Sequence, residues 1–424
     1  MTGAKGREAY RPTDRLYVWL LTQPQRPVLV GEIVLVRTTQ GVSMRYVESW
    51  LQRGFALSED LPLIDQEFLP TEKGTAAGAL DDARPDRWGE RVIRVLDKPP
   101  RLSLLEYLYF AGDDRFGALG ISTSAEEYLP RRLGPLPLIE DADQIQELIR
   151  KVQANESLPP AQQRLISPGV TLGGARPKAL LNFSDAQWVI KFADGEPTDT
   201  PLIEHASMTL AGTAGIRVSQ TMPVRLTVGH AVAIKRFDRD QTTRIHSLTA
   251  HVALRAAGER YGYPELAQLL RRRGVIENDT YLAHMHELFR RMIFNILIDN
   301  TDDHEKNHAL LLTDAQQYAL SPAYDVLPSG QALGFQQMRV GEQEADSTLA
   351  NALSMSQMFG LARDKAIDEV RTVTRAVDRW QQHFKECGVT RHDIELCAEQ
   401  IDRPFLADQR REFGASSPAA IRKQ

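Results

Sequence analysis

The segment NTDDHEKNHALLL, residues 300–312, combines three acidic residues, two histidines, a lysine and two asparagines ahead of a run of leucines. Two kinds of catalytic site fit these letters. His304 to His308 spells H-E-x-x-H, the zinc-binding pattern of metalloproteases. Asp302 and Asn307 stand five residues apart, as in the catalytic loop of protein kinases, where the Asp accepts a hydroxyl proton and the Asn binds Mg²⁺. The surrounding sequence decides between them.

The zinc pattern needs a helix through residues 304–308, because a helix places both histidines on one face, toward a single metal ion. The preceding DNTDD is rich in residues that hydrogen-bond their own backbone in turns. The following HALLL has the pattern of a strand that enters a hairpin. No third zinc ligand follows in a helical frame. The sequence therefore favours a phosphoryl-transfer loop.

The residues that flank the loop fit the same interpretation. The helical segment LFRRMIFNILIDN leads into it, and a hairpin over residues 308–324 follows it. Asp325, in SPAYDVLP, then stands where kinases place a further magnesium-binding side chain. We expect His304 and Lys306 to contact phosphate or the Asp302 carboxylate. The alternative is that all of these are turn-forming surface residues, because Asp-rich turns are common.

Upstream, Lys191 lies among the apolar strand residues of WVIKF, and Glu204 follows thirteen residues later, early in a helix. Kinases pair such a strand lysine, which holds the α- and β-phosphates of ATP, with a helix glutamate. Because a lysine buried without a partner is costly, Glu204 is the natural partner of Lys191. Thr200 is the predicted N-cap of that helix. The alternative is a lysine that extends to solvent and an ordinary surface glutamate.

The segment GVTLGGARPK precedes the strand region that contains this lysine, and it can form a flexible loop whose backbone N–H groups cover phosphate. Gly173 and Gly174 supply the flexibility, and Arg176 and Lys178 add positive charge. The glycines match neither G-x-G-x-x-G nor a Walker motif. The predicted role therefore depends on the position of the loop before the lysine strand.

The parts follow one another as glycine loop, Lys, Glu, hinge, Asp-x4-Asn, hairpin and Asp, with IKRFDR at 234–239 in the place of the hinge. This order predicts an α+β, two-lobed protein-kinase-like fold, with a small β-rich lobe, a large mainly helical lobe and an N-terminal α+β accessory domain. We place the accessory domain at residues 1–150, the small lobe at 151–240 and the large lobe at 241–424. Within the accessory domain, MRYVESWLQRG predicts a helix from Met44.

The 424 residues carry 51 basic and 56 acidic side chains, a net charge of −5, and 42% of them are hydrophobic. This mix is typical of a globular protein and shows no overall basic character for nucleic-acid binding. The N-terminus lacks the apolar core of a signal peptide, and no apolar run is long enough to span a membrane, so we expect a cytoplasmic protein. Cys387 and Cys397 fit no common zinc spacing and are expected to be reduced.

With these motifs in place, the chain resembles the HipA family of serine/threonine kinases, the toxins of bacterial toxin–antitoxin pairs. NTDDHEKN is similar to the family's N-x-D-x-H-x-K-N motif, SPAYDVLP to its magnesium-binding segment and GGARPKALL to its phosphate loop. FDR after Arg236 resembles the hinge, and LDDARPDRWGERVI is similar to part of the accessory domain. The resemblance covers nearly the whole chain.

The resemblance implies phosphorylation of a protein serine that depends on ATP and Mg²⁺. An aminoacyl-tRNA synthetase is the expected kind of substrate, with growth arrest or persistence as the result. It also implies a role for each matched residue: catalytic base for Asp302, magnesium ligand for Asn307 and Asp325, phosphate contact for Lys191, and adenine hinge for Lys235 and Phe237.

Members of the family also phosphorylate a serine of their own phosphate loop, which switches them off. The matching position here holds Thr171, with Ser167 nearby, and we expect the extra methyl group of threonine to disfavour this regulation. The family's partner is a HipB-like helix-turn-helix antitoxin, so DNA contact is expected mainly through that partner. Two alternatives remain: a catalytically weak co-repressor that grips an antitoxin, and a small-molecule kinase, because the Asp-x4-Asn loop does not separate protein from metabolite substrates.

Overall fold

The computed structural model of the protein describes residues 10–131, 134–166 and 176–414. In this part of the chain, three antiparallel sheets follow one another along the sequence, and helices dominate after the last strands. The first sheet belongs to an N-terminal module, the second to a small lobe and the third to a large lobe. The mixed α+β architecture predicted from the sequence is confirmed.

The N-terminal module, residues 10–131, is built on a five-stranded sheet. Its strands are β1 (Arg15–Leu20), β2 (Val28–Val36), β3 (Gly41–Tyr46), β4 (Glu67–Phe68) and β5 (Leu119–Ser122), in the order β4-β3-β2-β1-β5. Its helices are α1 (Glu48–Arg53), α2 (Arg87–Val92) and α3 (Leu104–Phe110). The prediction of a helix from Met44 is wrong for its first residues. Met44 and Tyr46 are buried and Arg45 between them is exposed, which is the two-residue period of a strand.

The small lobe is built on a four-stranded sheet. Its strands are β6 (Lys178–Phe183), β7 (Ala186–Phe192), β8 (Thr221–Arg225) and β9 (His230–Lys235), in the order β6-β7-β9-β8. Its helices are α4 (Ala142–Gln153), α5 (Pro160–Gln163) and α6 (Thr200–Thr213). Successive side chains along each strand point to opposite faces of the sheet. Each face packs into a different apolar cluster. Leu181 and Trp188 pack with α4, whereas Leu180 and Val189 belong to the core that includes α6. The helix that spans residue 150 therefore packs with the small lobe.

The large lobe is mainly helical, as predicted. Its strands β10 (Ser247–Thr249), β11 (Ala309–Leu312) and β12 (Tyr318–Leu320) pair in that order, and β11 and β12 form the predicted hairpin. Its helices are α7 (Ala250–Ala256), α8 (Tyr263–Arg273), α9 (Thr280–Leu297), α10 (Leu349–Ser354), α11 (Arg363–Val377), α12 (Trp380–Glu386), α13 (Arg391–Ile401) and α14 (Pro404–Gly414). Most side chains of α9 are buried, and this helix leads directly into the segment at 300–312. Neither α9 nor another helix of the described ranges has the length and apolar character needed to cross a membrane.

Two neighbouring aspartates join the N-terminal module to the large lobe. Asp81 forms an ion pair with Arg255 of α7, with an N–O distance of 3.3 Å. Asp82 accepts hydrogen bonds from the backbone N–H and the hydroxyl of Thr249, both at 2.7 Å. Thr249 in turn caps α7 through the N–H of Val252. The Asp82 carboxyl group therefore fixes the start of the first helix of the large lobe.

The protonation of Asp82 gives this junction a pH dependence. Burial raises the pKa of Asp82 from its ordinary value of 3.8 to about 6, although the hydrogen bonds from Thr249 oppose the rise. The folded state then binds this proton more tightly than the unfolded state, so stability falls as pH rises from about 4 to about 6, by up to about 3 kcal/mol. Asp82→Asn is neutral at every pH. We expect its melting temperature, relative to the parent, to rise across this window in thermal unfolding followed by circular dichroism. A difference that does not vary with pH would contradict the prediction.

The connection between the two lobes, residues 234–239, is docked on the N-terminal module. Arg236 and Arg239 both contact Asp238, and all three side chains are buried. Arg236 also donates to two backbone carbonyl oxygens of the N-terminal module, at 2.7 and 3.0 Å. The N–H of Gly117, in the same module, donates to Asp238 at 2.8 Å. The N-terminal module therefore holds the connection between the lobes as well as the large lobe.

Candidate active site

A cavity of about 250 Å³ between the small and large lobes is lined by the predicted catalytic base, the predicted magnesium ligands and two predicted phosphate-binding residues. Its walls carry polar side chains from both lobes. The small lobe contributes Arg176, Lys191 and Asp194, and the large lobe contributes Asn300, Asp302, Asn307, Asp325, Leu327, Pro328 and Ser329. Five predicted residues, which come from four segments of the sequence, therefore face the same space: Arg176, Lys191, Asp302, Asn307 and Asp325.

The loop that carries Asp302 is anchored by its neighbour Asp303. Asp303 is buried and accepts a hydrogen bond from the Tyr263 hydroxyl of α8. Nε2 of His308 lies 2.8 Å from the same carboxylate oxygen. Burial alone would raise the pKa of Asp303, but His308 and Tyr263 hold it below its usual value. A fixed negative charge thus secures the loop, while Asp302 remains exposed on the cavity wall.

The residues of the H-E-x-x-H pattern do not form the helix that the zinc interpretation needs. Residues 305–307 form a single 3₁₀ turn, and His304 and His308 on either side of it have extended backbones. Glu305 pairs with Nδ1 of His251 at 2.8 Å. His308 is buried and turned toward the anchoring carboxylate described above. The local geometry therefore supports the phosphoryl-transfer interpretation of this segment.

Lys191 is buried in β7, and carboxylates from both lobes hold its ammonium group. Glu204 Oε1 lies 2.7 Å from Nζ, and Asp325 Oδ1 lies 2.6 Å from it. Glu204 belongs to α6, whose N-cap is Asp199 rather than the predicted Thr200, because the Asp199 side chain accepts a backbone hydrogen bond in the first turn. The cost of burying the lysine is thus offset by two opposite charges. The structure brings together the strand lysine and the helix glutamate that the sequence paired.

The pKa values of the two cavity carboxylates, Asp302 and Asp325, are shifted in opposite directions. Burial would raise the pKa of Asp325, but the ammonium group of Lys191 outweighs it and lowers the pKa to about 2. Partial burial raises the pKa of Asp302, and the carboxylates of Asp325 and Asp303 add to this rise, although His304 opposes it. Asp325 is therefore a permanent anion near neutral pH, whereas Asp302 has the higher proton affinity. These properties suit a cation ligand and a general base, respectively.

Asn307 supplies a neutral oxygen atom to the same cavity. Its side chain is buried, and Oδ1 accepts no hydrogen bond from the residues that the structure describes. A buried acceptor without a partner costs about 1–3 kcal/mol, so such an atom indicates a site that another group completes. Mg²⁺ prefers carboxylate and amide oxygen ligands. Asn307 and Asp325 therefore fit the magnesium predicted for them.

Of the two charged residues predicted in the phosphate loop, one lines the cavity and the other is buried against the N-terminal module. Arg176 lines the cavity and pairs with Glu196 at 3.2 Å. Lys178 is completely buried and contacts Asp86 of the N-terminal module at 2.5 Å. The other predicted positions of this loop lie outside the described residues, and their roles stay predictions: Ser167, Thr171, Gly173 and Gly174.

The remaining predicted site residues do not line the cavity. Lys235 is exposed at the end of β9. Phe237 packs against Tyr324, with ring centroids 5.4 Å apart. Lys306 is exposed, and its carbonyl oxygen accepts a hydrogen bond from the Tyr324 hydroxyl at 2.8 Å. His304 does not line the cavity, and its buried Nδ1 has no hydrogen-bond partner among the residues that the structure describes. The hinge and phosphate roles of these residues stay predictions.

Sequence reasoning missed three polar residues of the cavity, Asp194, Asn300 and Ser329. Asn300 is fixed by a hydrogen bond from its Nδ2 to Asn295, at 3.1 Å. The Ser329 hydroxyl lies 2.6 Å from that of Thr301. Each missed residue lies within four positions of a predicted site residue, and this closeness in sequence could have indicated it.

Relatives among known proteins differ in how much of this chain they match. The serine/threonine-protein kinase toxin HipA of Shewanella oneidensis is 21% identical over 388 residues, which is 82% of this chain and 86% of that protein. Y4dM of Sinorhizobium fredii is 33% identical over 153 residues, 33% of this chain. That match spans 37% of Y4dM, well under two thirds of its length.

Among solved structures, the chain is similar to the Shewanella oneidensis toxin–antitoxin complex of HipA, HipB and its operator DNA. The TM-score is 0.65 at 17% sequence identity, and the match covers 95% of this chain and 100% of the solved chain. At this identity the likeness concerns the fold. It confirms the predicted two-lobed, kinase-like fold with an N-terminal accessory domain.

Two family descriptions match the sequence directly. Residues 26–122, which include most of the first sheet, match the HipA N-terminal domain. Residues 170–381 match the HipA-like C-terminal domain. These residues are half of the chain and include every cavity residue. This chain belongs to the HipA family.

Proposed function

We propose that this chain is an ATP- and Mg²⁺-dependent serine/threonine protein kinase. One observation carries the proposal: a proton acceptor, Asp302, two oxygen donors for a metal ion, Asn307 and Asp325, and a carboxylate-held cation, Lys191, face one cavity. Phosphoryl transfer uses these parts, and kinases use them in this chain order. Membership of the HipA family supports the same activity.

In this proposal the ATP phosphates occupy the side of the cavity where Arg176 and Lys191 supply positive charge. Glu204 and Asp325 keep Lys191 protonated and oriented for this contact. Asn307 and Asp325 would hold Mg²⁺, which neutralises charge on the phosphate oxygens during transfer. The cavity thus combines cationic groups for the phosphates with anionic and neutral oxygens for the metal.

Asp302 is the proposed acceptor of the proton from the attacking hydroxyl group. Its exposure on the cavity wall leaves it accessible to a substrate side chain. Its raised pKa makes it a stronger base than Asp325. The anchoring contacts of Asp303 hold the loop in one position, so the accepting oxygen is oriented before the substrate arrives. A serine or threonine hydroxyl is the proposed nucleophile.

We further propose that the chain is the toxin of a HipBA-like pair and that it phosphorylates a translation-related protein, such as an aminoacyl-tRNA synthetase. Two findings support the toxin role: the Shewanella relative is named a kinase toxin, and the similar solved structure contains HipA with HipB and operator DNA. A HipB-like antitoxin would supply the DNA contacts, in keeping with the net charge of −5 on this chain.

Incubation of the purified protein with γ-labelled ATP, Mg²⁺ and a cell lysate tests the proposal. We expect label in one or a few protein bands, and none of it with Asp302→Asn. Phosphoproteomics after brief expression of the parent and of this variant then identifies the modified serine or threonine. Label in a metabolite would favour the small-molecule kinase. Absence of turnover together with antitoxin binding would favour the co-repressor.

A further inference from the structure

Lys178 and Lys191 lie opposite one another on the neighbouring strands β6 and β7. At the adjacent position the N–H of Phe192 donates to the carbonyl oxygen of Pro177. The two lysines are therefore a non-hydrogen-bonded pair, the kind in which facing side chains come closest, with Cα atoms about 4.5 Å apart. Facing residues of an antiparallel pair leave the same face of the sheet. Both lysine side chains thus start from the face that serves α6 and the cavity.

Each ammonium group of this pair forms an ion pair with at least one carboxylate group. Lys191 contacts Glu204 and Asp325, as described above. Lys178 is completely buried, and Asp86 contacts its Nζ at 2.5 Å. Each lysine of the pair is therefore held by a carboxylate group, although Lys178 itself does not line the cavity wall.

Asp86 belongs to the N-terminal module and reaches the small lobe from outside. It is the N-cap of α2: one carboxylate oxygen accepts the N–H of Gly89 at 2.8 Å, and the other contacts Lys178. Because β6 is an edge strand, α2 can lie beside it, and the Trp88 indole donates to the Lys178 carbonyl oxygen at 2.8 Å. These contacts fix the backbone and the ammonium group of Lys178 together.

We propose that Asp86 is a positioning residue of the nucleotide site, which orients Lys178 beside Lys191 so that both ammonium groups serve the ATP phosphates. The inference rests on the proposed function, because it concerns the same site. Glu204 orients one lysine from α6, and Asp86 orients the other from α2. The phosphate-binding surface is therefore completed by the N-terminal module and is not built from the two lobes alone.

The test compares the full-length parent and Asp86→Asn in calorimetric titrations with Mg²⁺–ATP and with adenosine. We expect Asp86→Asn to weaken ATP binding and to raise KM for ATP by about tenfold, the scale of one charge-assisted hydrogen bond. Adenosine affinity should not change, because adenosine carries no phosphate. Lys178→Met should also weaken ATP binding. The double variant should be no weaker than Lys178→Met, since Asp86 acts through Lys178.

Asp82→Asn is the matched control, because Asp82 is a carboxylate of the same module that bonds the large lobe instead of β6. It should alter thermal stability and keep ATP affinity within about twofold of the parent. If Asp86→Asn does not fold, Asp86→Glu, which keeps the charge, and Lys178→Met undergo the same comparison of ATP with adenosine.

Three results would overturn the inference: unchanged or tighter ATP binding in Asp86→Asn, equal loss of ATP and adenosine binding, or the same loss in Asp82→Asn. Failure of the parent protein itself to bind Mg²⁺–ATP is a different result, which would overturn the proposed function. The two failures are therefore separated by the measurement on the parent.

Discussion

Replacement of Asp302 by asparagine is expected to lower phosphoryl transfer about a thousandfold, because an amide cannot accept the proton of the attacking hydroxyl group. The protein should remain folded, because Asp302 is exposed and its loop is anchored by the buried Asp303. We expect the free energy of unfolding to change by no more than about 0.5 kcal/mol. Transfer of labelled phosphate at saturating ATP, with denaturant unfolding in parallel, measures both quantities.

Asp314→Asn is the control for this experiment. Asp314 lies exposed in the turn of the hairpin that follows the catalytic loop, away from the cavity, so the same chemical change should leave transfer at the parent level. ATP affinity should also stay within about twofold of the parent in Asp302→Asn, because the variant changes the base and not the phosphate contacts. Transfer within about tenfold of the parent would show that Asp302 is not the proton acceptor.

Asp325→Asn should remove the magnesium dependence of nucleotide binding. The substitution takes away an anionic oxygen from the proposed metal site and one of the two carboxylates that hold Lys191. Asparagine tolerates the left-handed backbone of Asp325, which has φ of 59°, so the chain can keep its path. Affinity for ADP in the presence of Mg²⁺ should fall at least about a hundredfold, more than the loss typical of groups that only support a metal ligand. Titration calorimetry with Mg²⁺ and with EDTA measures the effect.

Asp299→Asn provides a closely matched control. Asp299 is also buried, has a left-handed backbone with φ of 58° and pairs with a cation, Arg403, at 2.7 Å, but it does not line the cavity. Its replacement should lower stability and preserve the difference between titrations with Mg²⁺ and with EDTA. If Asp325→Asn kept that difference too, Asp325 would not be a magnesium ligand.

The residues that could be predicted for the site share one property: each role is set by a short stretch of sequence. Asp302 and Asn307 have a characteristic spacing, and Lys191 stands in an apolar strand. The structure places them around one cavity with Asp325, as the kinase-like order of the parts along the chain predicts. The same local reasoning disfavoured the helical zinc site, and the structure has a single 3₁₀ turn there in place of a helix.

The contacts that could not be predicted join residues that are distant in sequence. Tyr263 reaches Asp303 across 40 positions, and Asp86 reaches Lys178 across 92 positions. No spacing rule relates such residues, because their meeting depends on the packing of whole elements. The strand at Met44 was missed for another reason: over so short a stretch, an apolar pattern fits both a helix and a strand, and pairing with a neighbouring strand decides the outcome.

The buried cluster of Arg236, Asp238 and Arg239 limits how this protein can be shortened. A recombinant fragment that starts at the small lobe would lose the carbonyl oxygens that Arg236 binds and the N–H group that Asp238 binds. Removal of the N-terminal module would also uncover apolar side chains, because one hydrophobic core includes Leu57, Ala79 and Phe116 of this module together with Leu248 of the large lobe. Because exposed apolar patches promote aggregation, a fragment that begins at the small lobe is expected to aggregate.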